Sequence, residues 1–315
     1  MLTLLLPSAP LPVAHYVTDN PLLRPGSEEF LNSKAMDTIC DNPHQFKIIT
    51  PINIPVFKEL LDSHPNKPFI QSVCTSLCEG FWPWANTQKE AYLATWDFSE
   101  HPLKTKSKAG FLRDQRDIKI SASRYSESFG TDLLPGMYST PIHAVPKPRS
   151  EKLWLVNNHC AGCFSLNSMI ACEDILGAKM DSISDLIGAI IKYQRHYPDT
   201  MLVLFKLDVS AAYWRLPLHP LWQIKQIVTI DDSRHVDQCN NFGGRGSFQD
   251  YTAFMGPILW IAIFVKFILF RYIDNNFGFD EEGNILWYEP YWCYYPTKQT
   301  KCSNCRENRN TGNEI

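Results

Sequence analysis

The chain has 315 residues, of which 44% are apolar and 20% charged, and its net charge is −3. Such a length makes one large domain or two small ones, and the apolar share can fill a core, so wholesale disorder and collagen-like repetition are excluded. The small net charge excludes nucleic-acid binding through the field of the whole molecule, so any such surface must be local.

Residues 1–50 show no sustained period, and Pro7, Pro10, Pro12, Pro21 and Pro25 argue against a long helix. They read as a poorly ordered leader. Met1–Pro12 is apolar but has no basic stretch and is broken by prolines, so a signal peptide is not expected. The 10 cysteines sit in a chain too long for a disulfide scaffold, which predicts reduced thiols and an intracellular protein. Gly80–Trp84 is an aromatic turn that reads as a packing anchor. Lys104–Ile120 mixes charges with Phe111, Leu112 and Ile118 and predicts an exposed basic helix. Residues 104–154 hold ten Lys and Arg against five Asp and Glu, a local excess of +5 in a chain that sums to −3.

Pro141–Val145 and Lys152–Val156 are β-prone runs joined by Pro146–Ser150, which predicts a two-stranded ribbon with a basic tip. Over Asp181–Tyr197 the residues Ile183, Leu186, Ile187, Ile190 and Ile191 repeat at helical spacing. Ser182 followed by Asp185 marks the start of that helix, and Pro198 ends it. Met201–Leu207 is an apolar run short enough for a buried strand, and Ile224–Ile230 with Asp231-Asp232 predicts a hairpin. Tyr251–Phe270 is apolar nearly throughout. Its uncharged part is shorter than the about 20 residues of a membrane span, so a core helix feeding a buried strand is expected, with a membrane anchor as the competing reading.

Two acids follow these buried runs. Asp208 comes directly after Met201–Leu207, and Asp274 follows the second run. Carboxylates delivered by strand ends from distant segments can share Mg²⁺ ions, which take one or two carboxylates together with substrate phosphates. On spacing alone, an acid after a strand is most often a cap or a turn. Cys160-Ala-Gly-Cys163 and Cys302-Ser-Asn-Cys305 each have a zinc-knuckle spacing, but they lie far beyond the about 15–20 residues between the pairs of a zinc ribbon.

Around those acids the sequence resembles the reverse transcriptases of fungal retrotransposon polyproteins. Phe205–Pro220, with Asp208 and an aromatic five residues on, resembles their first catalytic motif. Phe242-Gly-Gly-Arg-Gly-Ser-Phe248 resembles the glycine-rich second motif, and Tyr272-Ile-Asp-Asn275 the tyrosine–x–Asp–Asp box. Pro141–Asn158 resembles the fingers hairpin. The four motifs stand in the family's order and cover about residues 136–279.

The resemblance implies an α+β fold: a palm with an antiparallel sheet backed by helices, and partial fingers. Residues 1–50 would be the leader, 51–135 a helical region associated with the fingers, 136–290 the fingers and palm, and 291–315 a polar tail. The implied reaction adds deoxynucleotides to a primer on an RNA or DNA template. Asp208 and Asp274 would hold Mg²⁺ (or Mn²⁺), and Asn275 stands in the third catalytic position. Tyr213 would lie under the sugar, where its bulk rejects a 2′-hydroxyl. Lys147, Arg149 and Lys152, with Trp154, would meet the triphosphate or template backbone. Gly243, Gly246, Ser247 and Tyr272 would meet the template–primer, the glycines by leaving room for backbone. A core tyrosine, a plain glycine turn and a solvated charge cluster are the plainer readings of these residues.

The departures from the family matter equally. Asn275 replaces the second Asp of the box, Trp154 an arginine, and Asn158 an Asp. Cys163, Cys172, Trp214 and Gln238 stand where related sequences carry basic residues. All these changes can arise from C-to-T or G-to-A transitions, as in a decaying element copy. Lys301–Ile315 is polar where the family continues toward a helical thumb, so no thumb is expected. An impaired polymerase is the leading expectation. The alternative is a catalytically dead nucleic-acid-binding module or an inert pseudogene product.

Overall fold

The computed structural model of the chain describes residues 19–99, 105–175, 180–264 and 268–282. Met1–Pro12, the polar tail and the Cys302–Cys305 pair lie outside them. Helices and strands are mixed along the chain in an α+β arrangement.

Residues 19–50 differ from the irregular leader that the prolines predict. A 3-10 turn at Ser27–Leu31 leads into helix α1 (Ser33–Asp41). The side chain of Asn32 caps α1 by accepting from the Ala35 N–H at 3.2 Å. Pro21 and Pro25 precede α1 and Pro43 follows it, so no proline interrupts its winding, and Ala35 buries with Phe46, Met137 and Ile224. Helices α2 (Ile54–Leu60) and α3 (Lys67–Glu79) each follow an Asn cap and carry Pro in the first turn, where its missing N–H costs nothing. Gly80 then turns the chain with φ +90°, and a Cβ there would overlap the Leu218–His219 backbone. The turn sends Phe81 and Trp82 into the core, where Trp82 meets Trp222 edge-on at 6.1 Å.

Three sheets follow. The first runs β1 (Trp96–Asp97), β2 (Tyr138–Ser139), β6 (Ile227–Ile230) and β7 (Ser233–Val236), with only the last pair antiparallel. Asp231 and Asp232 close that pair with φ of +50° and +61°, the left-handed turn that suits the twist of a hairpin. Strand β1 pairs with β2 across the boundary expected at residue 135. One core runs from Phe57 to Ile261.

The second sheet is the hairpin β3 (Ile142–Pro146) and β4 (Leu153–Asn157), in register from Ile142↔Asn157 to Pro146↔Leu153. Its inner face packs Ile142, Ala144 and Leu155 against Leu112 of α4 (Lys106–Ser121).

The third sheet has the order β5 (Leu202–Asp208), β9 (Asn275–Glu281) and β8 (Leu269–Tyr272). Helix α5 (Ile183–His196) covers one face, packing Leu186 and Tyr193 against Phe270 and Phe279. Helix α7 (Ser247–Phe264) covers the other, with Leu259 and Ala262 against Leu269 and Phe205. The short α6 (Pro220–Gln223) lies between β5 and β6 in the chain.

Ser182 and Asp185 form the reciprocal cap of α5: the Asp185 N–H donates to Ser182 Oγ at 3.3 Å, and the Ser182 N–H to Asp185 Oδ2 at 2.7 Å. The helix presents a narrower buried edge than its pattern predicts. Leu186 is buried, whereas Ile183, Ile187 and Ile191 are 65%, 50% and 45% exposed. Each residue advances about 100° round a helix, so turning Leu186 and Tyr193 to the sheet leaves the neighbouring isoleucine stripe outside. The apolar residues of α7 that include Tyr251, Phe254 and Leu259 are core instead. Among the described residues no helix is long and apolar enough to cross a membrane.

Candidate active site

Asp208 ends β5, and the β8–β9 hairpin brings Asp274 to the same end of the sheet. In register, Asp208 opposes Asn275, and Asn275 opposes Tyr272 across the hairpin. The two-residue turn is therefore Ile273-Asp274, with Ile273 in the left-handed region at φ +56°. The Val209 N–H donates to the Asp274 carbonyl at 3.0 Å, which ties the end of β5 to that turn. Two acids 66 residues apart are adjacent by these pairings. Asp208 is exposed and Asp274 half-buried.

Asn275 does more than oppose Asp208. Its side-chain amide donates to Asp274 Oδ1 at 3.0 Å, so one oxygen of that carboxylate already holds a donor. Asp208 and the second oxygen of Asp274 are the carboxylate donors left for a cation. Among the described residues no group of three or more His, Cys, Asp or Glu could hold a metal ion. Mg²⁺ usually takes one or two carboxylates and fills the rest of its octahedron with water and phosphate oxygens, so the two acids fit that chemistry.

Tyr213 stands on a 3-10 turn (Tyr213–Arg215) after β5 and is 5% exposed, within the main core. Its ring meets Phe242 edge-on at 4.5 Å and Tyr251 at 5.0 Å. Burial, and then the negative charge of Asp274, push its hydroxyl up to about 12. Tyr213 thus belongs to the aromatic wall behind the acids, with the half-exposed Phe242 lying over it. Phe242 opens the glycine-rich loop, and its geometry gives it a place among the candidate site residues that its position in the motif alone did not.

The space left by the loop's glycines is occupied by the protein itself. A Cβ on Gly243 would overlap the Asn157 carbonyl, and one on Gly246 would lie 2.8 Å from Pro83 Cβ and 2.9 Å from its carbonyl oxygen. Ser247 is buried and its hydroxyl bonds to Asn240 Oδ1. Tyr272 is 55% exposed.

The β3–β4 tip holds the remaining predicted residues. Lys147, Arg149 and Lys152 are exposed, and Arg149 sits at φ +57° in the tip. The tip closes through Lys147 N–H to the Lys152 carbonyl at 2.8 Å, and Lys147 Nζ lies 5.5 Å from the centre of the Trp154 ring. These contacts stay within the hairpin, so the structure groups Asp208, Asp274, Asn275, Tyr213 and Tyr272 at one sheet end and the basic residues at a separate tip. The basic excess of residues 104–154 is partly neutralised: Arg113 and Arg116 of α4 both pair with Asp231. Cys160 and Cys163 are exposed, and Cys160 Sγ accepts from Asn167 Nδ2 at 3.0 Å.

Comparison with models of known protein families and with curated proteins gave no match.

Proposed function

We propose that residues 136–282 act as the fingers and palm of a retroelement reverse transcriptase, in a copy whose catalysis is impaired. The observation that carries this reading is the pairing of Asp208 with the Ile273-Asp274 turn, sealed by the Val209 N–H to Asp274 carbonyl bond. The ordered motifs of the sequence support it. Mg²⁺ or Mn²⁺, when bound there, would activate the primer 3′-hydroxyl and neutralise the leaving pyrophosphate. Asp208 and Asp274 would hold it, the aromatic wall of Tyr213 and Phe242 would bound the nucleotide, and Lys147, Arg149 and Lys152 would meet phosphates. The partners in this reading are an RNA or DNA template–primer and deoxynucleoside triphosphates, inside the cell.

Primer extension by the purified chain on an RNA template with Mn²⁺ tests it. The expected result is trace incorporation that Asp208→Ala abolishes. Incorporation that survives Asp208→Ala would overturn the assignment.

A second reading, a nucleic-acid-binding module without catalysis, is favoured by one contact. The amide of Asn275 occupies Asp274 Oδ1 where a second carboxylate would add charge to the metal site. Salt-sensitive nucleic-acid binding without any incorporation supports this reading over the first.

A further inference from the structure

A buried polar cluster distant in sequence from the acids is used by neither reading. It centres on Asp237, just after β7, which is fully buried. Asp237 Oδ2 accepts from Asn157 Nδ2 at 2.8 Å and from Asn241 Nδ2 at 3.4 Å, and Oδ1 accepts from the Cys239 N–H at 3.4 Å. Asn157 is the last residue of β4, so this carboxylate holds the base of the β3–β4 hairpin. Asn241 is the residue before Phe242. Its Nδ2 also bonds Gln226 Oε1 at 3.1 Å, and its Oδ1 accepts from the Gly243 N–H at 3.0 Å.

The cation of this cluster is Lys119, from the last turn of α4. Lys119 is 2% exposed, and its Nζ lies 4.0 Å from the Trp214 ring centre and 4.8 Å from that of Tyr125. Its ammonium makes no hydrogen bond among the described residues. Asp237 is the acid whose charge acts on it, so the two rings and that carboxylate together hold the ammonium in the interior. Trp214 in turn meets Phe242 edge-on at 5.6 Å. Asn167 completes the fixing of the loop, donating to the Gly243 carbonyl at 3.0 Å and accepting from the Arg245 N–H at 2.7 Å.

We propose that Asp237 is a positioning residue: its carboxylate, balanced by Lys119, locks the glycine-rich loop of residues 240–247 against the base of the β3–β4 hairpin. It rests on the proposed function only in taking that loop as one wall of the nucleotide site. Asn157 of the hairpin base and Asn241 of the loop both donate to Oδ2, so hairpin base and loop cannot separate without stripping donors from a buried acid. The contact of Gly243 with the Asn157 carbonyl is the steric half of the same lock. Burial pushes the Asp237 carboxyl up to about 6, while Lys119 and the three donors pull it down.

The test is amide hydrogen exchange on the full chain, which needs no activity and therefore fails or succeeds independently of the polymerase reading. Asp237→Asn leaves the Lys119 charge buried without its counter-charge and turns an amide toward the donors of Asn157 and Asn241. Exchange in residues 240–247 and 154–159 should quicken by about tenfold or more while β5 and β9 stay protected, because local opening precedes global unfolding. Adding Lys119→Met removes the stranded charge and should return part, not all, of the lost protection, since the carboxylate that accepts from Asn157 and Asn241 is still missing. Asn157→Ala, which deletes one donor and keeps both charges, should release both segments if Asp237→Asn does not fold. Unchanged protection of residues 240–247 in Asp237→Asn or Asn157→Ala would overturn the proposal. So would a loss shared equally by β5 and β9, or no recovery in the double variant.

Discussion

The side-chain amide of Asn275 donates to Oδ1 of Asp274, 3.0 Å away, at the sheet end where Asp208 also stands. In a two-metal site this position would carry charge. Here it carries a neutral amide whose N–H occupies one oxygen of its neighbour. On the proposed polymerase reading, this one contact would weaken cation binding at the sheet end.

Asn275→Asp should therefore tighten Mn²⁺ binding, as read by calorimetric titration. A unit charge pair at about 4 Å is worth about 4 kcal/mol at an effective dielectric near 20, which sets the ceiling. Exposure of Asp208 screens the site, so a gain well below that ceiling is expected. Primer extension should stay near background, and adding Trp154→Arg should raise it little, because neither change supplies grip on the template–primer. Robust extension by the unmodified chain would contradict the impairment.

Tyr213 is core as well as site wall, so its truncation should register in stability. Tyr213→Ala should cost about 3–5 kcal/mol in chemical denaturation, as large-to-small aromatic changes do. Tyr213→Phe keeps the contacts with Phe242 and Tyr251 and should cost much less. If incorporation survives in Tyr213→Ala, ribonucleotides should enter, and unchanged sugar discrimination would assign the ring to packing alone.

Helix α5 offers a matched pair. Leu186→Ala removes a buried side chain from the sheet contact and should cost about 2–5 kcal/mol, whereas Ile187→Ala, on the exposed stripe, should stay within about 0.5 kcal/mol. Thermal unfolding of the two variants side by side checks it. A large loss at Ile187 would show that the stripe is covered.

Acid should destabilise the fold through two histidines. Burial lowers His159 to about 3, and burial with the Arg24 charge lowers His219 to about 4. A histidine whose folded value is depressed adds stability that is present above its unfolded value of about 6.5 and lost as pH falls through the folded one. Between pH 7 and 5 each should remove about 2 kcal/mol. Asp237 acts with the opposite sign. Its raised value adds stability at low pH that is lost as pH rises through about 6, a gain of about 1 kcal/mol over the same fall. His159→Gln should reduce the acid loss, and denaturant titrations at pH 5 and 7 would reveal it. Equal losses in variant and wild type would refute the assignment.

Nucleic-acid binding should depend on the hairpin tip more than on α4. Replacing Lys147, Arg149 and Lys152 together by Ala should flatten the plot of log affinity against log salt by about 0.7–0.9 for each phosphate no longer neutralised. Replacing Arg113 and Arg116 should flatten it little, since both pair with Asp231. Fluorescence anisotropy with a labelled oligonucleotide at several salt concentrations separates the two sets.

The elements readable from the chain are those that local physics dictates. The Ser182–Asp185 cap, the Asp231-Asp232 turn and the basic tip between β3 and β4 each depend on neighbours within a few residues, and each forms where the residues predict. Helix α1 escapes such a reading because the prolines of residues 1–50 leave the stretch between Pro25 and Pro43 free to wind. The isoleucine stripe of α5 reads as core because periodicity gives the spacing of a face and not its angle to the sheet. That angle is set by Phe270 and Phe279, which arrive from β8 and β9.

The candidate site divides in the same way. Asp208 and Asp274 can be picked out because an acid after an apolar run is a local feature, and the motifs around them are legible in order. Their adjacency cannot be read, since it comes from pairing β5 with β9 across an intervening 66-residue separation. The amide of Asn275 on Asp274, the ring of Phe242 over Tyr213, and the buried pair of Lys119 with Asp237 leave no periodic trace. The last two join side chains that only tertiary packing brings near each other. Charge and hydropathy along a chain record what each residue prefers as its surroundings; which partner satisfies that preference is decided when distant segments exclude water together.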